Sequence, residues 1–313
     1  MSTVRLVFMF PGQSSRDSGM LERVVALRPA NRDLLAEASE VLGCDLRAST
    51  TFATNRDVQI AVFVANHILL QTLGAAGITA ELSLGLSLGE YNHLVHIGCL
   101  TFADALRLVA ARGTAYDNGP DGAMISVFPL GADELAPIVE RARASGVLEI
   151  ANLNSPQQHV LAGERAAIDA AKKILEDEFS IDAIEIESRI PMHCSRFRPA
   201  SDAFRPALEA ARWHASTRPY LPNVHAEWIA QPTPEQIRDA LTRHVYQPVQ
   251  WRRSIDLIAD TFADAVFVEV GPRAVLYNLL SPRWRRVTRE KTDHPDNIAV
   301  AFDGLVSRLR DAA

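Results

Sequence analysis

The stretch Leu82-Ser83-Leu84-Gly85-Leu86-Ser87-Leu88-Gly89-Glu90-Tyr91 constrains this chain more than any other. An apolar run reaches Gly85, a serine stands between two glycines, and a helical pattern follows at once. Gly85-x-Ser87-x-Gly89 is the spacing of a sharp strand-to-helix turn that presents a nucleophile. A serine in such a turn is held in a strained backbone conformation, so the residues two positions away must lack side chains that would clash. The turn lifts the hydroxyl clear of the sheet edge and sets Ser87 at a helix N-terminus, where free N–H groups favour developing negative charge. The N–H of Leu88 is one natural oxyanion-hole donor. An ordinary turn has the same five-residue pattern. What favours the functional reading is the strand before it and the helix after it.

With 313 residues, 48% of them apolar and 22% charged, the chain has a globular composition. It is long enough for one large domain or a large and a small one. A net charge of −6 argues against a partner held by bulk attraction to nucleic acid. Cys44, Cys99 and Cys194 are far apart and show no metal-ligand spacing, so no metal site is expected and a reducing cytoplasm is the simplest compartment. Met1 to Arg5 runs straight into a strand-like segment without a signal-peptide pattern. No apolar run approaches the roughly 18 residues of a bilayer span, so no membrane association is expected.

Val4 to Phe10 reads as a buried strand entering a loop at Pro11-Gly12, and that loop carries Gln13. Leu21 to Leu27 and Asn31 to Val41 read as helices. Val58 to Leu73 is apolar nearly all round and reads as a buried helix, with Gln59, His67 and Gln71 as its polar positions and His67 as a satisfied core histidine. Leu88 to His96 and Phe102 to Arg112 follow as helices, the second placing Arg112 near its end. An arginine there is either a favourable charge at a helix C-terminus or a bidentate clamp on a carboxylate.

Asp117 to Gly122 has the composition of a boundary. Beyond it come a strand (Met124 to Leu130), a helix (Asp133 to Ala144), two strands (Leu148 to Leu153 and His159 to Ala162), a helix (Glu164 to Asp177) and a strand (Ala183 to Ser188). That βαββαβ order predicts a ferredoxin-like unit inserted in a larger domain. Pro191-Met192-His193 returns the chain to the larger domain, and His193 is the candidate base, a surface or core histidine being the plainer alternative. Helices are expected over Phe197 to Ala211, Pro234 to Val245 and Arg253 to Phe262, and strands over Tyr220 to Val224 and Val266 to Val270. A last amphipathic helix carries Ile298, Phe302, Leu305 and Leu309 on one face.

With these pieces in order, the chain resembles the malonyl-CoA:acyl-carrier-protein acyltransferases of fatty-acid and polyketide synthesis. The resemblance rests on Phe10-Pro11-Gly12-Gln13, the turn around Ser87 with Glu90-Tyr91, Arg112-Gly113, Asn152-x-Asn154-Ser155-Pro156, Pro191-x-His193, Pro248-Val249-Gln250-Trp251 and Glu269-Val270-Gly271-Pro272. It implies an α/β fold, with an α/β-hydrolase-like large domain (1–121 and 189–313) and a ferredoxin-like small domain (122–188). It implies that Ser87 attacks a thioester carbonyl while His193 takes its proton, that the N–H groups of Leu88 and Gln13 hold the oxyanion, and that hydrogen bonds near Gln250 orient the histidine. Arg112 is implied as the clamp on a malonyl carboxylate. The resemblance further implies a coenzyme A thioester as substrate with no permanently bound cofactor and an acyl carrier protein as acceptor, and the chain is expected to be a monomer.

Three positions depart from the family's usual residues: Leu86 in place of histidine, Ser14-Ser15-Arg16 in place of glycine-serine-glutamine, and Met192 before the histidine. With Asn154, Leu86 and Met192 are implied to line the acyl pocket. An alternative is a hydrolase of the same architecture that strips acyl groups from carrier proteins, and a third reading is an idle docking module, which the intact Ser87, His193 and Arg112 disfavour. Because carrier proteins in these pathways are acidic, the basic clusters at Arg285 and Arg286 and at Arg196 and Arg198 are candidate docking surfaces. A solvated charged face is the plainer reading of both.

Overall fold

The computed structural model describes residues 5–46, 52–293 and 298–312. Strand β1 (Leu6–Phe10) is buried along its whole length, and it is the second of four parallel strands. Val4, where the sequence reading begins this strand, lies outside the described residues. Helices α1 (Met20–Ala26), α2 (Asn31–Leu42) and α3 (Asn55–Ala75) precede strand β2 (Leu82–Gly85). Helix α4 (Gly89–His96) and helix α5 (Phe102–Asp117) follow it. The sheet is completed by β7 (Val266–Glu269) and β8 (Thr288–Lys291) in the order β2-β1-β7-β8. A central parallel strand is covered on both faces, which is why β1 reads as an unbroken apolar run instead of alternating.

Helix α3 is long and apolar enough to cross a membrane by length and composition, yet 78% of its most apolar window is buried inside the protein. It is the core helix against which α5 packs. A Cβ on Gly113 would lie 2.4 Å from the Cα of Arg56, so the close approach of these helices depends on that glycine. Gly113 therefore does not end α5, which runs on to Asp117. There the Asp117 carboxylate accepts the N–H groups of Asn55 and Arg56 at 2.8 and 3.1 Å, capping α3.

The second sheet is antiparallel, with β3 (Ala123–Val127), β4 (Leu148–Leu153), β5 (His159–Gly163) and β6 (Ile184–Glu187) in the order β4-β5-β3-β6. Helices α6 (Ala132–Ala142) and α7 (Arg165–Phe179) share a core with one face of it. Alternation decides which face: Ala123, Ile125 and Val127 point into that core, while Met124 and Ser126 line a cleft on the other side. Asn152 bridges to Val249 and ties this sheet to the rest of the chain.

After β6 come α8 (Arg198–Ala210), α9 (Pro234–His244), α10 (Trp251–Thr261), the short α11 (Val275–Leu279) and α12 (Ile298–Ala312). On α12, Phe302, Leu305 and Leu309 are buried, and the side chain of Ile298 lies outside what is described. The strand expected over Tyr220 to Val224 reduces to a single bridge between Tyr220 and Ile229. Pro219 and Pro222 flank it and supply no N–H for a ladder. Two elements were not anticipated, α11 and β8. The latter is written in the basic run Arg283 to Lys291 and pairs as the charged edge strand of the parallel sheet.

Candidate active site

The site opens at the C-terminal edge of the parallel sheet, where open α/β sheets place their ligands. Ser87 follows β2 with φ of 51°, the strained conformation expected of the turn. The flanking glycines are required by sterics. A Cβ on Gly85 would stand 2.0 Å from the backbone of Gly89, and one on Gly89 would stand 2.0 Å from the carbonyl oxygen of Phe10. Among the described residues neither the N–H of Leu88 nor that of Gln13 is given to an acceptor. Gln13 also lines the cleft next to Ser87.

His193 also has positive φ, 62°. Its N–H donates to Val245 O at 3.0 Å and its Nδ1–H to His244 O at 2.6 Å. The second bond fixes the tautomer, leaving Nε2 as the acceptor 2.8 Å from Ser87 Oγ. The carbonyl that orients the ring is thus the last of α9, one of the unsatisfied groups at a helix C-terminus, where the dipole favours a positive imidazolium. This corrects the expectation for Gln250. That residue caps α10, and its N–H donates to Asn223 O at 2.8 Å, one step further from the reacting atoms. Burial, then the neighbouring His244, then Arg112 hold the His193 pKa well below 6.5, so the imidazole is neutral at neutral pH.

Arg112 lies within α5, not at its end, and is 1% exposed. Its Nη2 donates to Ser87 Oγ at 3.1 Å and its Nη1 to Gln59 Oε1 at 2.7 Å. The guanidinium stands over the Tyr116 ring at 4.2 Å. Among the described residues no carboxylate pairs with it, an expensive arrangement for a buried charge unless a ligand supplies the counter-ion. Gln59, on the otherwise apolar α3, also donates to Gln13 Oε1 at 3.3 Å, so it stands between Gln13 and the arginine. Sequence reasoning noted Gln59 only as a polar position. A buried amide in an apolar helix was the available signal. His67, read as a satisfied core histidine, is in the core and stacks on Phe102 at 4.1 Å, with its pKa lowered to about 4 by burial. Its Nδ1 has no hydrogen-bond partner among the described residues.

The cleft beside Ser87 has a volume of about 190 Å³. Leu86, Met192, Met124 and Val160 give it an apolar wall, and Asn154 and Gln158 a polar one. Asn154 Oδ1 and Gln158 Oε1 have no hydrogen-bond partner among the described residues. Leu86 and Met192 line the cleft on the same side as Ser87 and His193. The candidate docking arginines are placed less favourably. Arg285 bonds Asp256 and Asp260, each at 2.8 Å, and Arg196 pairs with Glu164 at 2.6 Å. Both take part in ion pairs within the chain. Arg198 is exposed and lies over the Tyr246 ring, and Arg286 is exposed.

The acyl transferase domain family matches residues 7–294. The malonyl CoA-acyl carrier protein transacylase of Escherichia coli K12 is 33% identical over 309 residues, covering 96% of this chain and 99% of the relative. FabD from Acinetobacter baumannii superposes with a TM-score of 0.90 at 30% identity, over the full length of both chains. A malonyl-transacylase solved in complex with its type II PKS acyl-carrier protein superposes with a TM-score of 0.86 at 28% identity, covering 96% of this chain and 99% of its own.

Proposed function

The chain belongs to the acyl transferase family, and from that premise we propose that it transfers a malonyl group from coenzyme A to the phosphopantetheine thiol of an acyl carrier protein. The observation that carries the acyl group is Arg112, a buried guanidinium with no carboxylate partner, 3.1 Å from Ser87 Oγ. The free carboxylate of malonyl supplies the missing charge through two parallel hydrogen bonds.

Ser87 Oγ attacks the thioester carbonyl as His193 Nε2 takes its proton. The N–H groups of Leu88 and Gln13 receive the oxyanion. When the tetrahedral intermediate collapses, the C–S bond breaks and His193 returns the proton to the departing thiol. The carrier-protein thiol then repeats the sequence in reverse, giving up its proton to His193 and displacing Ser87. Leu86, Met192 and Asn154 contact the acyl group. Coenzyme A enters as a substrate and leaves as a thiol.

In this reading residues 1–121 and 189–313 form the hydrolase-like part that carries Ser87, His193 and Arg112. Residues 122–188 form a ferredoxin-like part that contributes one wall of the cleft. The sheet order β4-β5-β3-β6 supports that division. The exposed Arg198 and Arg286 are the remaining candidates to meet an acidic carrier protein.

Intact-protein mass spectrometry tests the proposal. Mixing with malonyl-CoA gives an adduct on the wild type and none on Ser87→Ala, and the adduct persists in buffer but moves to added carrier protein. Loss of the adduct to buffer alone would make the chain a hydrolase, and an adduct on Ser87→Ala would overturn the nucleophile.

A further inference from the structure

Ser87 and His193 reach the site from positions 106 residues apart in the chain. One buried carboxylate touches the supports of both. Glu90 stands in the first turn of α4, 0% exposed, where a helix N-terminus stabilises an anion. Its Oε1 accepts the Tyr220 hydroxyl and, at 3.3 Å, the N–H of Asn223. Asn223 in turn accepts the N–H of Ser87 on Oδ1 at 2.9 Å and donates Nδ2 to Gly85 O at 2.6 Å. The other oxygen, Glu90 Oε2, lies 2.8 Å from Nδ1 of His244. It is the His244 carbonyl that holds His193 Nδ1, and the two imidazole rings stack at 4.9 Å with 20° between their planes.

We infer that Glu90 is a positioning residue that registers the nucleophile against the base, acting through Asn223 on Ser87 and through His244 on His193. It rests on the Ser87 and His193 reading given above. In an ordinary triad the acid bonds the base directly. Here a helix-end carbonyl takes that place, and the carboxylate stands one residue behind it, with Oε2 in close contact with the His244 ring at 2.8 Å but outside hydrogen-bond geometry. Glu90 touches no reacting atom. Its effect is on the alignment that the acylation step requires, so it acts on rate and not on substrate affinity.

The test is single-turnover acylation of Ser87 by malonyl-CoA, read by quench and intact mass on wild type, Glu90→Gln, His244→Gln and the double variant. Glu90→Gln keeps the shape and an oxygen for Tyr220 and Asn223 but removes the charge facing His244. It should slow acylation about 10- to 100-fold, less than the roughly 10⁴-fold seen when an acid bonded directly to the base is neutralised. The malonyl-CoA concentration for half-maximal rate should stay within about twofold, as for an interaction used only in the transition state. Because Glu90 and His244 act in series, the double variant should be little slower than the slower single one.

An acylation rate for Glu90→Gln within twofold of wild type overturns the inference. So does a parallel loss of rate, affinity and melting temperature, which marks a structural carboxylate only. If Glu90→Gln does not fold, an unchanged rate in His244→Gln overturns the His244 arm on its own. Ser87→Ala is the separate control. No adduct there with a normal Glu90→Gln removes only this inference, whereas an adduct there removes the reading beneath it.

Discussion

Ser87 and His193 both sit at positive φ, 51° and 62°, but the two turns are held in different ways. The serine turn is enforced locally. Gly85, Ser87 and Gly89 lie within five residues, and a Cβ at either glycine collides with backbone at 2.0 Å. The histidine turn is enforced from a distance. Two bonds from the C-terminal end of α9, to Val245 O and His244 O, hold it some fifty residues away in sequence. A strained conformation can therefore be imposed by what the chain lacks nearby or by what it meets elsewhere. Only the first leaves a short signature.

The largest effect expected from this contrast is at the local turn. Gly85→Ala puts a methyl 2.0 Å from the Gly89 backbone, where neither side can yield. Destabilisation on the order of 4 kcal/mol is expected, at the upper end of single substitutions. Thermal unfolding checks it, and a melting temperature within a few degrees of wild type would break the local account. Beside Ser87, Arg112→Lys keeps a charge but loses the planar fork. Malonyl adduct formation should fall about 100-fold while acetyl transfer changes far less, as competition between the two coenzyme A thioesters would reveal. Equal losses for both would remove the carboxylate clamp.

A smaller effect follows from the burial of His193. The base must be neutral to accept the serine proton, and burial, His244 and Arg112 hold its pKa well below 6.5. Protonation, and with it loss of acylation, should begin only on the acid side of 6.5. A rate–pH profile with its midpoint at or above 6.5 would show that His193 is not desolvated as described. The smallest effect lies at Glu269, at the end of β7, which accepts the N–H groups of Val275 and Tyr277 at 3.0 and 2.7 Å and so anchors α11 beside the cleft. Burial raises its pKa from 4.5 to about 8. The folded state therefore holds this proton more tightly than the unfolded state, and the associated stability is lost as pH rises from 4.5 through about 8. Glu269→Gln should flatten the dependence of melting temperature on pH across that window. An unchanged slope would assign it to other groups.

Much of the architecture is periodicity, and periodicity is written in the chain. The alternation in β3, the unbroken apolar run of β1 and the amphipathic α12 follow from which face each element must bury. So the βαββαβ order between Ala123 and Glu187 was legible. The reading failed where a residue's meaning depended on a neighbour far along the chain. The helix expected over Phe102 to Arg112 runs on to Asp117, because Gly113 is a contact point with Arg56 and not a stop. Strand β8, within the basic run from Arg283 to Lys291, was not anticipated because its partner β7 lies some twenty residues back in the chain.

The sequence by itself determined the sharp turn at Ser87, because sterics within five residues leave little choice, and its family resemblance named Ser87, His193 and Arg112 as candidates for the chemistry. Tertiary structure alone decided what surrounds them. It chose the His244 carbonyl over Gln250 as the group that orients the base, it set Gln59 between Gln13 and Arg112, and it brought Glu90 against the supports of both Ser87 and His193. The physical reason is range. Steric exclusion acts over a few bonds and is fixed by local residue identity, whereas hydrogen bonds and buried charges join whichever groups the packed helices and strands bring within about 3 Å, and nothing in the spacing of the chain records which those are.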